Sequence, residues 1–207
     1  RRVEEAGVEF RTLPGAKIDG ALWRTIFGFS ERTFLRHGNA HYLSPEFLER
    51  VARLMPDTIV VVLAERAGVA IAAAIFFHGG GRLYGRYWGA GEHVDCLHFE
   101  ACYYQGIDYC IANGIEAFDP GTQGEHKLAR GFEPTLTHSA HWLAHPGFAT
   151  AVGRYLERER AGVDGVRKVI RAERRGAEVR PDDLRHGVLP AEHGRHPQPA
   201  KRHGERG

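Results

Sequence analysis

Residues 118–132, FDPGTQGEHKLARGF, gather more chemically active side chains than a connecting loop needs. Glutamate and histidine side chains can accept a proton near neutral pH, and a lysine can bind a phosphate or stabilise an oxyanion on a carbonyl under attack. The catalytic candidates are Glu125 and His126 as bases and Lys127 as the oxyanion-stabilising cation. Helix-end charges and an ordinary surface lysine would explain the same residues without a site.

Other side chains of this segment are candidates for holding a substrate. Asp119 ends a strand-like run, and Gln123 could form hydrogen bonds with a substrate amide. Arg130, three residues after Lys127, would reinforce an anion site if both lie on one helical face. A turn-forming acid, a loop amide and a solvated charge are the alternative interpretations.

A second group of candidates lies in RLYGRYWGA (82–90) and in the apolar helix that follows it. Strand alternation predicts Tyr84 and Arg86 on one face and Tyr87 on the other. A guanidinium among aromatic residues is costly to bury without a partner. We therefore expect Arg86 to pair with Glu100, with Asp119, or with a carboxylate or phosphate of the substrate, which makes Tyr84, Arg86 and Glu100 candidates for substrate binding.

The cysteines and histidines indicate neither a disulfide framework nor a metal site. Three cysteines lie in one helical segment without a CxxC pair, which favours buried small side chains in a reducing, cytoplasmic compartment over a catalytic thiol. In HSAHWLAH the histidines 138, 141 and 145 would share a face only in a helix, whereas we expect a strand. Metal-dependent hydrolysis therefore ranks last among the functions, and no metal is expected.

The composition is that of a soluble globular protein. Of 207 residues, 43% are hydrophobic and 26% are charged, and no apolar run approaches the length of a membrane span. The chain opens on RRVEEAGVEF without a signal peptide or an initiator Met, which we interpret as a piece of a longer protein. Residues 171–207 carry a net charge of +3 and few large apolar side chains, so we expect a disordered basic tail.

The order of elements predicts an α+β fold around a mainly antiparallel sheet flanked by helices. A strand (8–13), a helix (19–38) and a helix capped by Ser44 and Pro45 precede a meander of three strands, in which Gly85 indicates a bulge or a close approach. The predicted elements after the meander are a helix capped by Asp95 (96–114), a strand (115–120), a brief helix (124–132), a strand (133–143) and a terminal helix (148–170) broken near Gly162 and Gly165.

This order, with the stretches YGRYWGA, HFEACYYQGIDYCIANGIEAFDPGTQG and HKLARGF, resembles the GNAT acyltransferase superfamily. The stretches are most similar to its FemAB-like (peptidoglycan biosynthesis/recognition) branch, whose members contain two GNAT-like halves. The resemblance covers about residues 8–160 and implies a C-terminal half, with a missing N-terminal half as partner. We therefore expect a GNAT-like domain over residues 1–160 and a partly helical, then disordered region over residues 161–207.

The resemblance implies an acyltransferase that modifies an amine, with a cell-wall precursor as a candidate acceptor. Lys127 matches the Lys of the family's FK..FG element. The phosphate-binding loop typical of acetyl-CoA enzymes is absent from YWGAGEHVDCLHFE, although Gly89 and Gly91 would permit a close-packed loop. The donor is then acyl-CoA or, as in FemAB-type relatives, aminoacyl-tRNA. The alternative is a non-catalytic half that binds substrate or completes the site of the missing half.

Overall fold

The computed structural model describes residues 2–121 and 125–174 of the chain. The chain divides into two compact units, residues 1–130 and residues 131–207. In the described part of the first unit, five strands form one sheet: β1 (Val8–Pro14), β2 (Ile59–Arg66), β3 (Val69–Gly79), β4 (Arg82–Ala90) and β5 (Ala117–Asp119). Strands β1 to β4 form an antiparallel meander, and β5 joins β4 in parallel. The predicted α+β class with a mainly antiparallel sheet is confirmed.

Helices cover both faces of the sheet. The short α1 (Arg2–Glu5) precedes β1, and α2 (Gly20–Arg36) and α3 (Pro45–Leu54) precede β2. After β4, α4 (Leu97–Phe99), a π-helical turn (Glu100–Tyr104) and α5 (Gln105–Ala112) follow one another without interruption. We call this stretch the central helix.

The alternation of side chains in β2 divides the core between the two faces. Val61 and Leu63 pack with Trp23 of α2 and Leu48 of α3, all of them fully buried. Their neighbours in β2 pack on the opposite face with side chains of the central helix, such as Ala101. Each strand residue thus meets a helix on its own side, which explains why the predicted apolar runs have no polar face.

Local signals fix the start of α3 as predicted. Ser44 accepts a hydrogen bond from the backbone N–H of Phe47 at 3.3 Å, and Pro45 follows at the first helical position of α3. The predicted Asp95 cap of the central helix is wrong. Cys96 occupies the cap position with φ 66°, and no side chain caps the helix there.

A bulge in β4 reverses the side-chain alternation of that strand. Ile75 of β3 pairs with Tyr87 and Phe76 pairs with Gly85, so Arg86 is the extra residue. The bulge predicted from Gly85 is confirmed. In a regular strand Leu83 and Tyr87 would share a face, but Leu83 packs on the central-helix face and Tyr87 on the α2 face. The prediction that Tyr87 lies opposite to Arg86 is therefore wrong.

Two predictions fail in the second unit. The described residues 132–143 form no strand and lack regular secondary structure. The terminal helix α6 (Pro146–Arg174) continues through Gly162 and Gly165 instead of breaking there. A glycine inside a helix costs only about 1 kcal/mol, and the surrounding Arg and Glu residues are good helix formers. The predicted disorder of the tail concerns mostly residues outside the described part of the chain.

Candidate active site

The candidate site lies where β4 and β5 stop pairing. Strand β5 pairs with three residues of β4, and the last pair joins Tyr84 to Asp119. Past that point β4 bulges and β5 turns away through Pro120. A Cβ on Gly85 would lie 3.4 Å from the Pro120 Cα, so a larger residue would crowd this turn. We call the place where the pairing of β4 and β5 ends the notch, and Lys127 of the quoted loop contacts the turn there.

Asp119 and Lys127 meet at the edge of this notch. The Asp119 carboxylate accepts a hydrogen bond from the backbone N–H of Gly121 at 2.8 Å, which shapes the turn. The Lys127 ammonium donates to the carbonyl of Gly121 at 2.9 Å. Burial lowers the pKa of Lys127, while the Asp119 carboxylate and then the Cys102 thiol act in the opposite direction. Asp119 is therefore both a turn residue and an electrostatic neighbour of the half-buried Lys127.

Two side chains of the central helix hold the His126 ring in place. Its Nε2 lies 2.9 Å from the hydroxyl of Tyr103, which is buried. The rings of His126 and Phe99 meet edge to face with centroids 5.6 Å apart. The imidazole itself is exposed, so it can exchange a proton with a bound molecule. Its neighbour Glu125 begins a 3₁₀ helix (Glu125–Arg130) in place of the brief helix predicted for residues 124–132.

Arg130 is fixed by stacking. Its guanidinium carbon lies 3.8 Å from the centroid of the Phe99 ring, and its Nη1 donates to the His126 carbonyl at 2.7 Å. Its Nε is buried and has no hydrogen-bond partner in the described part of the chain. The stacked guanidinium keeps a positive charge beside His126, as expected for a site that holds an anionic group.

His98 is a site residue that the sequence did not single out. Its ring packs against Trp88 and Tyr103, with centroid distances of 5.4 and 5.5 Å. Burial lowers the pKa of His98, and the positive charges of neighbouring site residues lower it further. Only tertiary structure brings these groups together, so no local pattern could have identified His98.

Arg86 has neither of the predicted protein partners. Its Nη2 donates to the hydroxyl of Tyr42 at 3.3 Å, and its guanidinium carbon lies 5.7 Å from the Tyr87 ring centroid. Glu100 instead accepts a hydrogen bond from Gln105 at 3.2 Å. The bulge explains the difference, because it turns Arg86 toward the α2 face whereas Glu100 belongs to the helix on the other face. The predicted Arg86–Glu100 and Arg86–Asp119 pairs are wrong.

The remaining candidates are placed as follows. Tyr84 is 39% exposed at the last β4–β5 pair, so its ring borders the notch. Gln123 lies outside the described residues. The structure therefore brings Asp119, His126, Lys127 and Arg130 together and separates Arg86 from them across the sheet.

Packing explains Cys102 and Cys110, and local bonds explain the histidines of the second unit. Cys96 is exposed, so the prediction of a buried thiol is wrong for that residue. Burial raises the pKa of the Cys102 thiol and that of the Cys110 thiol, which makes both poor nucleophiles. His141 bonds Ser139 at 3.1 Å, and His145 accepts from the backbone N–H of Phe148 at 3.2 Å. Within residues 2–121 and 125–174, no three His, Cys, Asp or Glu side chains cluster as metal ligands. No helix in those ranges is long and apolar enough to cross a membrane.

Residues 1–175 match the family described as FemAB-like, peptidoglycan biosynthesis/recognition. The chain belongs to the FemAB-like family. As a member of it, the chain is an acyltransferase that acts on amines. The comparison with curated proteins gave no match.

Several solved structures are similar to the chain. A predicted acetyltransferase from Clostridium acetobutylicum, solved with acetyl-CoA, is 12% identical and has a TM-score of 0.47; the match covers 67% of this chain and 95% of that one. A ribosomal-protein-alanine N-acetyltransferase from Brucella melitensis biovar Abortus 2308 is 11% identical with a TM-score of 0.46, covering 67% and 97% of the two chains. A possible acetyltransferase from Clostridium difficile 630 is 10% identical with a TM-score of 0.46, covering 67% and 99%.

Proposed function

We propose that this FemAB-like protein transfers an activated acyl group to an amine of a cell-wall precursor in the notch between β4 and β5, with Lys127 as the principal catalytic residue. The observation that carries the proposal is the position of the Lys127 ammonium. It is half-buried at the end of β5 and is aimed at the turn by its bond to the Gly121 carbonyl. A cation held there can stabilise charge that develops on a neighbouring carbonyl oxygen.

The notch also supplies backbone groups for an extended substrate. Strand β5 ends at Asp119, so the β4 residues after Tyr84 have no β5 partner in the described chain. An acyl or peptide segment can add to such an edge as a short strand, with its carbonyl directed toward the turn. Positioning of this kind accounts for a large part of the rate in reactions that need no covalent enzyme intermediate.

In the proposed reaction the acceptor amine attacks the donor carbonyl and a C–N bond forms. The carbonyl oxygen becomes an oxyanion, which the Lys127 ammonium stabilises. The amine loses a proton to His126 or Glu125, the two bases that precede Lys127 in the sequence. The bond between the carbonyl carbon and the leaving group then breaks, and the leaving thiol or hydroxyl takes up the proton. Arg130, stacked on Phe99, holds an anionic part of the donor or acceptor.

The donor is an acyl group activated as a thioester of CoA or as an ester of tRNA. Gly89 and Gly91, which would open a phosphate-binding loop, have other functions. A Cβ on Gly89 would overlap the backbone carbonyl of Phe29, and one on Gly91 would lie 3.0 Å from the Phe29 ring. The N–H of Gly91 donates to the carbonyl of Ile71 at 2.7 Å, so it is not free to bind a pyrophosphate. A CoA pyrophosphate would therefore need donors other than the Gly91 N–H, and the transfer assay compares both donors.

A transfer assay tests the proposal. The purified chain is incubated with an amine-bearing cell-wall precursor and with either acetyl-CoA or alanyl-tRNA, and the mass of the acceptor is followed. We expect the acceptor to gain the acyl mass with one donor. If neither donor modifies the acceptor while the acceptor still binds, the protein acts as a binding half and the proposed transfer by this chain is wrong.

A further inference from the structure

The terminal helix α6 carries a mostly apolar stripe along one side. The stripe follows a heptad repeat, with alternate steps of three and four residues. Its described members are Ala149, Leu156 and Val163 at a positions and Val152 and Glu159 at d positions. We call these five residues the heptad seam. In the sequence, Val166 and Ile170 continue the same spacing within α6.

The second unit offers the heptad seam no second helix. Among the described residues of this unit, α6 is the only helix, and residues 132–143 lack regular secondary structure. No side chain of the heptad seam is buried, and Val163 is exposed. Phe148 and Tyr155, which flank the seam, are exposed as well. Because an amphipathic helix owes most of its stability to packing of its apolar face, the heptad seam requires a partner.

The spacing of the heptad seam indicates the kind of partner that fits it. Apolar residues that recur every 3.5 residues on average form a narrow line, which a second helix covers by knobs-into-holes packing. A strict seven-residue repeat also predicts a left-handed supercoil, since a straight helix has 3.6 residues per turn. The polar side of α6 carries both signs of charge, for example Glu157 and Arg158. A helix that lies on an anionic lipid surface has a mostly basic polar side, so the pattern favours a helix as the partner.

The charged member of the heptad seam fits a second copy of the same chain. Glu159 occupies a d position, and Arg160 follows it at an e position. In a parallel pair of identical helices, a d side chain enters a hole bordered by the partner's e position, so each Glu159 lies beside Arg160 of the second copy. In an antiparallel pair the e positions face each other, and the two Arg160 side chains meet as like charges near the middle of α6. Neither Glu159 nor Arg160 forms an ion pair with another side chain of the described chain.

We propose that α6 forms a parallel two-stranded coiled coil with α6 of a second copy, along the heptad seam, so that the protein is a homodimer. The 29 residues of α6 span about 44 Å, which accommodates at least three heptads. A β-branched side chain such as Val163 at an a position favours two strands. Glu159 weakens the pairing and fixes its register, as single polar residues in such seams do. This inference does not depend on the proposed reaction.

Sedimentation equilibrium of the whole chain tests the dimer. We expect the mass of a dimer at about 50 μM protein, and Leu156→Glu should raise the dimer Kd by about 100-fold or more. Ala161→Glu is the matched control, because Ala161 is exposed on the opposite side of α6, and it should leave the Kd unchanged. Glu159→Leu should lower the Kd by about tenfold or more, because it replaces a charged layer by an apolar one. Circular dichroism checks that all three variants are folded.

Oxidative cross-linking tests the parallel orientation. Val152→Cys is made together with Cys96→Ser, which removes the exposed native thiol. A parallel pair in register brings the two substituted positions face to face, within reach of a disulfide. An antiparallel pair separates them by more than about 20 Å along the helix. We therefore expect a disulfide-linked dimer from Val152→Cys and none from Ala161→Cys in the same background.

Three results would overturn the inference. The first is a wild-type chain that remains monomeric at about 50 μM, including one that sediments with phosphatidylglycerol vesicles through α6. The second is a folded Leu156→Glu variant that dimerises as tightly as the wild type, which would place the interface elsewhere. The third is a dimer that Val152→Cys fails to cross-link, which would exclude the parallel arrangement.

Discussion

The hydroxyl of Tyr103 and the Nε2 of His126 are joined by a hydrogen bond of 2.9 Å across 23 positions of sequence. Tyr103 is buried in the π-helical turn of the central helix, whereas His126 is exposed at the notch. The buried hydroxyl therefore fixes the orientation of an accessible imidazole. A hydrogen bond to one ring nitrogen usually holds a catalytic histidine in one tautomer, which leaves the other nitrogen for the substrate.

We predict that Tyr103→Phe lowers kcat by about tenfold with little change in KM, because the imidazole loses its fixed orientation and not its contact with substrate. Tyr104→Phe is the matched control, because Tyr104 is the exposed neighbour in the same turn. An unchanged kcat in a folded Tyr103→Phe variant would show that the hydrogen bond between Tyr103 and His126 has only a structural role.

The three cysteines should differ in reactivity toward a thiol reagent. Cys96 is exposed, whereas burial raises the pKa of Cys102 and of Cys110. We expect one equivalent to react rapidly in the native protein and the other two only on unfolding. Cys96→Ser should remove the rapid phase, and labelling of Cys96 should leave acyl transfer intact. Loss of activity on labelling would instead indicate that Cys96 is a catalytic thiol.

Gly89→Ala and Gly28→Ala should change the free energy of unfolding in opposite directions. A Cβ on Gly89 would overlap the Phe29 backbone carbonyl, so Gly89→Ala must push α2 away from β4 and should cost about 4 kcal/mol or prevent folding. A Cβ on Gly28, inside α2, meets nothing within 4 Å. Gly28→Ala should therefore stabilise the protein by roughly 1 kcal/mol. Urea unfolding measures both, and equal effects would contradict the packing of α2 on β4.

The stability of the protein should fall as the pH drops below the ordinary value for histidine. Burial lowers the pKa of His98 below 6.5, and His126, Lys127 and Arg130 lower it further. Between that lowered value and 6.5 the unfolded chain binds more protons than the folded one, so the free energy of unfolding decreases as the pH falls through this window. Each pKa unit of lowering corresponds to about 1.4 kcal/mol.

We expect His98→Phe, which keeps the ring contact with Trp88, to weaken this pH dependence in urea titrations between about pH 7.5 and pH 5. Some dependence should persist, because burial also lowers the pKa of His41. Parallel curves for the wild type and His98→Phe would show that His98 does not titrate in this window.

The parts of the fold that follow local rules could be predicted from the sequence. Ser44 and Pro45 mark a helix start because each satisfies a backbone requirement of the first turn. Gly85 indicates the bulge because a side chain there would crowd the Pro120 backbone. The meander was predictable because its apolar runs are separated by glycine turns.

The wrong predictions concern a segment with weak local signals and contacts between residues that are distant in the sequence. Residues 133–143 resemble a strand in composition, but Trp142 is 86% exposed. A strand there would gain no stability from burial of this side chain. The partners of Arg86 and His126 are Tyr42 and Tyr103, which spacing along the chain cannot pair. The grouping of Asp119 with Lys127 was foreseeable only because the two residues lie close together in the sequence.

The central claim is that Lys127 stabilises the oxyanion of an acyl transfer, and the most direct test is the kcat of Lys127→Ala with the donor that the transfer assay identifies. We predict a loss of about 10²–10³-fold, the usual effect of removing one such donor. Lys17→Ala, an exposed lysine in another 3₁₀ turn, should retain wild-type activity. A Lys127→Ala variant that is folded and transfers the acyl group at the wild-type rate would contradict the account.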